Sequence, residues 1–242
     1  MTFADERLYR KQRLAGSYRI FAMMGYDHNL SGHITARDPE FPNCFWVAPI
    51  GPWFGHIRTS DLVLVDENGN IVEGKGPINE AGFAIHSAIH VARPDVIAAA
   101  HSHSIYGKAW SALGRLLDPI TQDSCYFYQQ HALFESFSGI VFDGSEGDRI
   151  AAALGNMRAV ILQNHGLLTV GKSVQSAVAN YVSLENACHA QLLAEAAGTI
   201  KLVPHDVALH TMKQSLVTDD PGSYNFRPLW ERALREQPDF LI

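Results

Sequence analysis

The chain has no apolar run near the ~18 residues that a membrane-crossing helix requires, so no bilayer span is expected. It has no Lys/Arg cluster either. Its 19 basic residues against 25 acidic ones leave a formal charge of −6, which argues against nucleic acid and an anionic membrane as partners. Cysteine is scarce: Cys44, Cys125 and Cys188 are far apart and odd in number. That pattern excludes a disulfide framework and points to a reducing, cytoplasmic compartment. No Pro/Gly/Ser-rich or charged linker, repeat or low-complexity segment divides the sequence. Residues 1–242 are therefore read as one domain, with a core over about 5–200 and a helical, aromatic tail over 201–242. The opening "MTFADERLYRKQRLAG" is charged throughout and lacks the apolar centre of a secretory signal.

What remains is an ordinary globular composition, 47% hydrophobic and 18% charged, with one unusual number: twelve histidines. Apolar spacing predicts a helix over 4–25, then short strands at 33–37, 44–50 and 61–66, the last turning through Asn-Gly into "IVE". An amphipathic helix over 79–92 closes at Arg93-Pro94. A strand over 96–101 leads into a helix through "SIYGKAWSAL". Aromatic and β-branched residues over 119–143 read as two or three strands, and a helix is expected at about 145–155. Strands "AVILQ" and "LLTVG" flank "NHG", a long helix runs to Gly198, and one or two helices occupy the tail. Helices mixed with mostly non-βαβ strands predict an α/β or α+β arrangement around one sheet, with three layers, α/β/α.

The histidines cluster at strand ends. In "VIAAAHSH" an apolar strand finishes in His101 and His103, which at i and i+2 face the same side. In "ILQNHG" a second apolar strand finishes in His165, and Gly166 permits tight backbone passage. Three imidazoles converging on one point can hold a metal ion and leave coordination positions open, as catalytic sites do. His86 and His90 share a helix face, either as packed side chains or, for His86, as a group behind the site. "GHITAR" and "APIGPWFG" could present backbone N–H groups to a substrate, and "CYFYQQH" offers Tyr126, Tyr128 or His131 as proton carriers, with sheet packing as the alternative for each. Trp46, Trp53, Phe54, Tyr126 and Phe127 are candidates for an apolar wall near the metal.

The ordered set "GHITAR", "APIG", "SDLVLVD", "ARPD", "HSHS" and "ILQNHGLL" resembles the class II aldolase/adducin family over roughly residues 5–200. The resemblance implies a three-layer α/β/α fold with a central, mostly antiparallel sheet. It implies a homotetramer with the active site near a subunit interface. It also implies one divalent metal (Zn, Mn, Fe or Co) on His101, His103 and His165, and a small-molecule substrate contacted by His33, Gly51, Glu80 and His86. The departures from the family pattern matter. The position of the aldolases' acid/base glutamate falls on Gly82, and the serines that grip phosphate correspond to Glu80 and Ala81. The asparagine of the family's "GN" is His33, and Ile50 precedes Gly51. A carboxylate at that place repels phosphate, and no basic residue is expected to compensate. Phosphate-free members of the family are similar, including the non-haem iron oxygenases of aminocoumarin pathways. The expectation is a metal-dependent lyase cleaving a C–C bond next to a carbonyl in a keto or hydroxy acid, its proton coming from Tyr126, Tyr128, His131 or His33. An Fe(II) oxygenase acting on an aryl-pyruvate is the alternative, and a non-catalytic adducin-like domain is the third reading. Imidazole ligands do not choose among the metals.

Overall fold

The computed structural model describes residues 1–139, 144–218, 220 and 222–242. Helix α1 (Phe3–Met23) is started by Thr2 and Asp5, whose side chains each take the other's backbone N–H. It ends before Gly25, whose φ of +74° turns the chain. Strands β1 (Gly32–Arg37), β2 (Cys44–Val47), β3 (Val63–Asp66) and β4 (Ile71–Glu73) follow. Helix α2 (Glu80–Ala92) is capped by Asn79, whose side chain accepts from Gly82 N–H at 3.0 Å. The rest of the chain is β5 (Ala98–Ser102), α3 (Ile105–Ser111), α4 (Gln122–Cys125), β6 (His131–Phe134), α5 (Gly144–Leu154), β7 (Ala159–Leu162), β8 (Gly166–Gly171), α6 (Val174–Ala197), α7 (His205–Ser215) and α8 (Ser223–Glu236).

Among the described residues, the strands form one sheet in the order β4-β3-β2-β1-β5-β8-β7-β6. Every neighbouring pair is antiparallel except β6 with β7. Alternation along each strand sorts side chains to two faces. Ile34, Ala36, Ala98 and Ala100 join Tyr18, Phe21 and Tyr181 in the core shared with α1, α6 and α8. Ala99, Val160, Leu168 and Val170 join Ile85, Ile89 and Ile150 in the core shared with α2 and α5. The result is the expected three-layer α/β/α arrangement around a mostly antiparallel sheet. No described helix is long and apolar enough to cross a membrane.

Two local expectations are corrected. Strand β2 stops at Val47, not at residue 50, because Pro49 has no N–H to give a ladder. The stretch 119–143 yields one strand, β6, among its described residues. Thr121 and Ser124 close a capping box that winds α4, and Gln129 at φ +58° breaks the extended run before His131. Residues 140–143, the end of that stretch, lie outside the described residues.

Candidate metal centre

The antiparallel register sets the site. Strand β5 pairs with β8 so that His101 lies opposite Leu168 and Ser102 opposite Leu167, which brings the end of β5 beside the β7–β8 hairpin turn. Within that turn Asn164 takes a left-handed φ of +59°, a conformation its short polar side chain tolerates. At Gly166 a Cβ would sit 3.0 Å from the Ser102 carbonyl, so the close approach of the two strands depends on glycine. His101, His103 and His165 then each offer a ring nitrogen within 4.8 Å of the others. Ring centroids are 5.2 Å apart for His101–His103, 4.7 Å for His101–His165 and 4.8 Å for His103–His165.

The donor chemistry fits a divalent ion. His101 Nδ1 lies 2.7 Å from the Leu167 carbonyl and donates to it, so Nε2 keeps its lone pair for the site. Burial pushes His103 and His165 down to about 4, and His101 well below its usual value. The rings are therefore neutral at pH 7, the state in which imidazole ligates. Zn, Mn, Fe and Co all accept such a set.

These rings line a cavity of about 490 Å³, within the range of small-molecule sites. His33, Gly82 and Lys108 share its wall, and among the described residues no carboxylate does. Lys108 makes no ion pair among the described residues, so it leaves a positive charge facing the space. This corrects the expectation that no basic residue balances the site. Glu80 is exposed on the first turn of α2 and lines neither this cavity nor its neighbour, so it repels nothing there. Lys108 is placed by α3, whose first turn is held by the buried Glu185. That carboxylate accepts from Ser104 Oγ at 2.5 Å, Tyr106 N–H at 2.9 Å and Gly107 N–H at 2.7 Å.

Behind the triad, polar side chains of β1 meet α2. His33, Thr35 and Arg37 alternate with Ile34 and Ala36, so all three point to the α2 side, where His86 and His90 sit one turn apart. His33 lies opposite His101 in the sheet, with ring centroids 4.8 Å apart. His33 Nδ1 is 2.8 Å from His86 Nε2, His86 Nδ1 is 2.7 Å from Thr35 Oγ1, and Thr35 Oγ1 is 2.9 Å from His90 Nε2. His90 stacks on Phe45 and is held at about 3, first by burial and then by the Arg37 charge. A Cβ at Gly82 would overlap the His33 ring, coming within 2.7 Å of its Cγ and Nε2. The imidazole occupies the space that a side chain at position 82 would need.

The other expected residues disperse. Gly51 and His86 line a smaller apolar cavity of about 40 Å³ that shares His33 and Gly82 with the metal cavity. Phe54 lines it too, whereas Trp46 is core, its Nε1 donating to Asp38 at 2.8 Å, and Trp53 is half exposed. Tyr126 and Phe127 line a separate cavity beside Arg158. Tyr128 bonds His205 at 2.8 Å on the surface. His131 is tied up: Nδ1 donates to the Phe127 carbonyl at 2.6 Å and Nε2 accepts from Leu117 N–H at 2.9 Å. Tyr126, Tyr128 and His131 therefore do not reach the metal cavity of this chain, because they cluster around the start of β6, at the far end of the sheet from His165. Sequence reading missed Lys108 and Thr35. The alternation of "GHITAR" against two histidines at i, i+4 was the available signal for Thr35; nothing marked Lys108.

Comparison with known proteins adds the following. Residues 12–192 match the Class II Aldolase and Adducin N-terminal domain. A protein of Streptomyces niveus named Decarboxylase NovR is 42% identical, covering 98% of this chain and 88% of its own length. A 4-hydroxy-3-prenylphenylpyruvate oxygenase/4-hydroxy-3-prenylbenzoate synthase of Streptomyces roseochromogenus subsp. oscitans is 41% identical, covering 98% and 86%. A solved structure named L-fuculose 1-phosphate aldolase, from Glaciozyma antarctica PI12, superposes with a TM-score of 0.92 at 43% identity, covering 99% of this chain and 94% of that one.

Proposed function

The chain belongs to the class II aldolase and adducin family, and from that premise we propose that it is a divalent-metal-dependent lyase. It breaks a C–C bond next to a carbonyl, by retro-aldol cleavage or decarboxylation, in a non-phosphorylated, aromatic keto or hydroxy acid. The observation that carries this reading is the cavity itself: three neutral imidazoles converge where one unpaired cation, Lys108, and one further histidine, His33, share the wall.

A bound divalent ion supplies Lewis-acid polarisation of the substrate's carbonyl end. His101, His103 and His165 hold it. Lys108 pairs with a substrate carboxylate, fixing which end of the molecule enters. When the C–C bond breaks, its electron pair stays next to the carbonyl, and His33 relays to it a proton that the ring replaces from solvent. His33 stands in the space left by Gly82, where the resemblance puts the glutamate of the sugar-phosphate aldolases. The apolar cavity beyond His33 receives part of an apolar substituent. The enzyme works as a homotetramer in the cytoplasm, with its site near a subunit interface.

The relative named an oxygenase, similar over nearly the whole chain, favours a second reading, in which Fe(II) on the same three histidines serves an O₂-dependent cleavage of an aryl-pyruvate. The Glaciozyma structure's name points to a phosphorylated ketose, and Lys108 would also attract phosphate. Ile50 and Ala81, which bring no hydroxyl to positions the resemblance assigns to the phosphate grip, speak against it. One experiment separates these readings. Apo-protein is loaded anaerobically with Zn(II), Mn(II), Co(II) or Fe(II) and assayed on aryl-pyruvates, aryl-hydroxyacetates and L-fuculose 1-phosphate. Turnover of a phosphate-free acid without O₂ supports the lyase. An absolute need for O₂ and Fe(II) makes it an oxygenase, and cleavage of the sugar phosphate overturns the substrate class. Failure to bind any metal leaves the adducin-like role.

A further inference from the structure

We infer that Thr35, His86 and His90, anchored at Arg37, form a hydrogen-bonded chain that holds His33 as its Nε2–H tautomer, so that His33 faces the metal cavity as a hydrogen donor. Arg37 Nη2 donates to the His90 carbonyl at 2.6 Å and lies 3.4 Å from His90 Nδ1. A guanidinium has no acceptor, so at this contact Nδ1 of His90 accepts, sharing Nη2 with the carbonyls of His90 and of Arg93, the latter at 3.2 Å. The Val96 carbonyl near that ring edge accepts from Arg37 Nε at 3.1 Å and keeps a second lone pair; an Nδ1–H given to it would reverse every link of the chain and is the outcome that overturns the inference.

Counting hydrogens from the Arg37 contact gives each link its direction. The neutral His90 carries its one hydrogen on Nε2 and donates to Thr35 Oγ1. The Thr35 hydroxyl has one hydrogen and gives it to His86 Nδ1. His86 then carries its hydrogen on Nε2 and donates to His33 Nδ1. His33 is left with its hydrogen on Nε2, the ring edge that borders Gly82 and the cavity. Every link is buried: His86 and His90 are each 1% exposed, Thr35 5% and His33 7%, so water does not compete for these groups. Thr35 and His86 also border the small apolar cavity, but toward the reacting atoms all three residues act only through His33 and are positioning residues. The consequence for catalysis rests on the reading of His33 as the proton donor; the tautomer does not.

The test uses histidine-labelled full-length protein, loaded with Zn(II), and long-range ¹H–¹⁵N correlation at pH 7, compared among wild type, Thr35→Val and Thr35→Ser. Wild type is expected to show His33 protonated at Nε2 and bare at Nδ1. Thr35→Val, nearly isosteric in a strand, removes the hydroxyl and should leave His33 a mixture of tautomers, and Thr35→Ser should restore the single form. Wild-type His33 protonated at Nδ1, or a tautomer unchanged in Thr35→Val, would overturn the inference. Turnover is the second readout. With a working substrate, Thr35→Val should lower kcat by ~10–100-fold, the scale for partners that orient a working imidazole, with KM and metal content unchanged and kcat recovered in Thr35→Ser. If wild type turns over no substrate in the screen, the lyase reading fails while the tautomer measurement still decides this inference.

Discussion

At the level of single side chains, the proposed mechanism divides holding a metal from moving a proton. His103 projects from the end of β5 into the cavity, and its loss removes a ligand without opening the core. His103→Ala is expected to abolish stoichiometric metal binding, read by elemental analysis, while circular dichroism and the apo-protein's melting temperature stay near wild type. Lys108→Met should raise KM for an acid substrate about tenfold or more and leave the turnover of bound substrate nearly intact, because the lost charge acts on binding. His90 gives a pH prediction. Its pKa is about 3 in the fold, set by burial and by Arg37, against 6.5 unfolded. The stability gained by keeping it neutral is full above pH ~6.5 and is lost as pH falls from there toward 3, because only the unfolded chain takes up the proton. Urea midpoints should drop between pH 7 and pH 5, and the drop should be smaller in His90→Asn, which does not titrate.

At the level of elements, the junction of β1 with α2 packs His33 against Gly82 and His86. An alanine at position 82 would ordinarily favour a helix by about 1 kcal/mol over glycine. Here its Cβ meets the His33 ring, so Gly82→Ala should destabilise the protein in chemical denaturation and break the His33–His86 bond. Much of this was legible in the chain. His101, His103 and His165 stand at the ends of apolar runs, and that pattern survives folding because strand register, set by alternation, carries them together. Position 82 was legible as a departure, but its coupling to His33 was not, since nothing in a linear reading says that two changes 49 residues apart share one volume. The run 119–143 misled because its aromatic and β-branched residues favour strand locally, while the Thr121–Ser124 cap and the Gln129 turn override that preference. Tyr126, Tyr128 and His131 were misplaced for the same reason. Residue 131 pairs with Ala159 at the start of β7, whereas His165 stands in the turn beyond Leu162, about 10 Å further along the strand direction at ~3.3 Å per residue.

For the whole molecule, the sheet order puts the metal ligands on central strands, with α2 on one side and α3 with α6 on the other, so the site sits on rigid elements. The same framework carries relatives named for decarboxylation, for oxygenation and for sugar-phosphate cleavage, and the framework alone does not select among them. Selection falls to a few side chains: Lys108 for the acid, His33 in place of the glutamate, and the apolar cavity beyond it. The proposed homotetramer should sediment at about four times the 26.7 kDa chain mass. The measurement that tests the central claim most directly is anaerobic turnover by the metal-loaded enzyme across a panel of phosphate-free keto and hydroxy acids. The account predicts C–C cleavage without O₂ that disappears in His103→Ala and on chelation; cleavage that occurs only with O₂ and Fe(II) would contradict it.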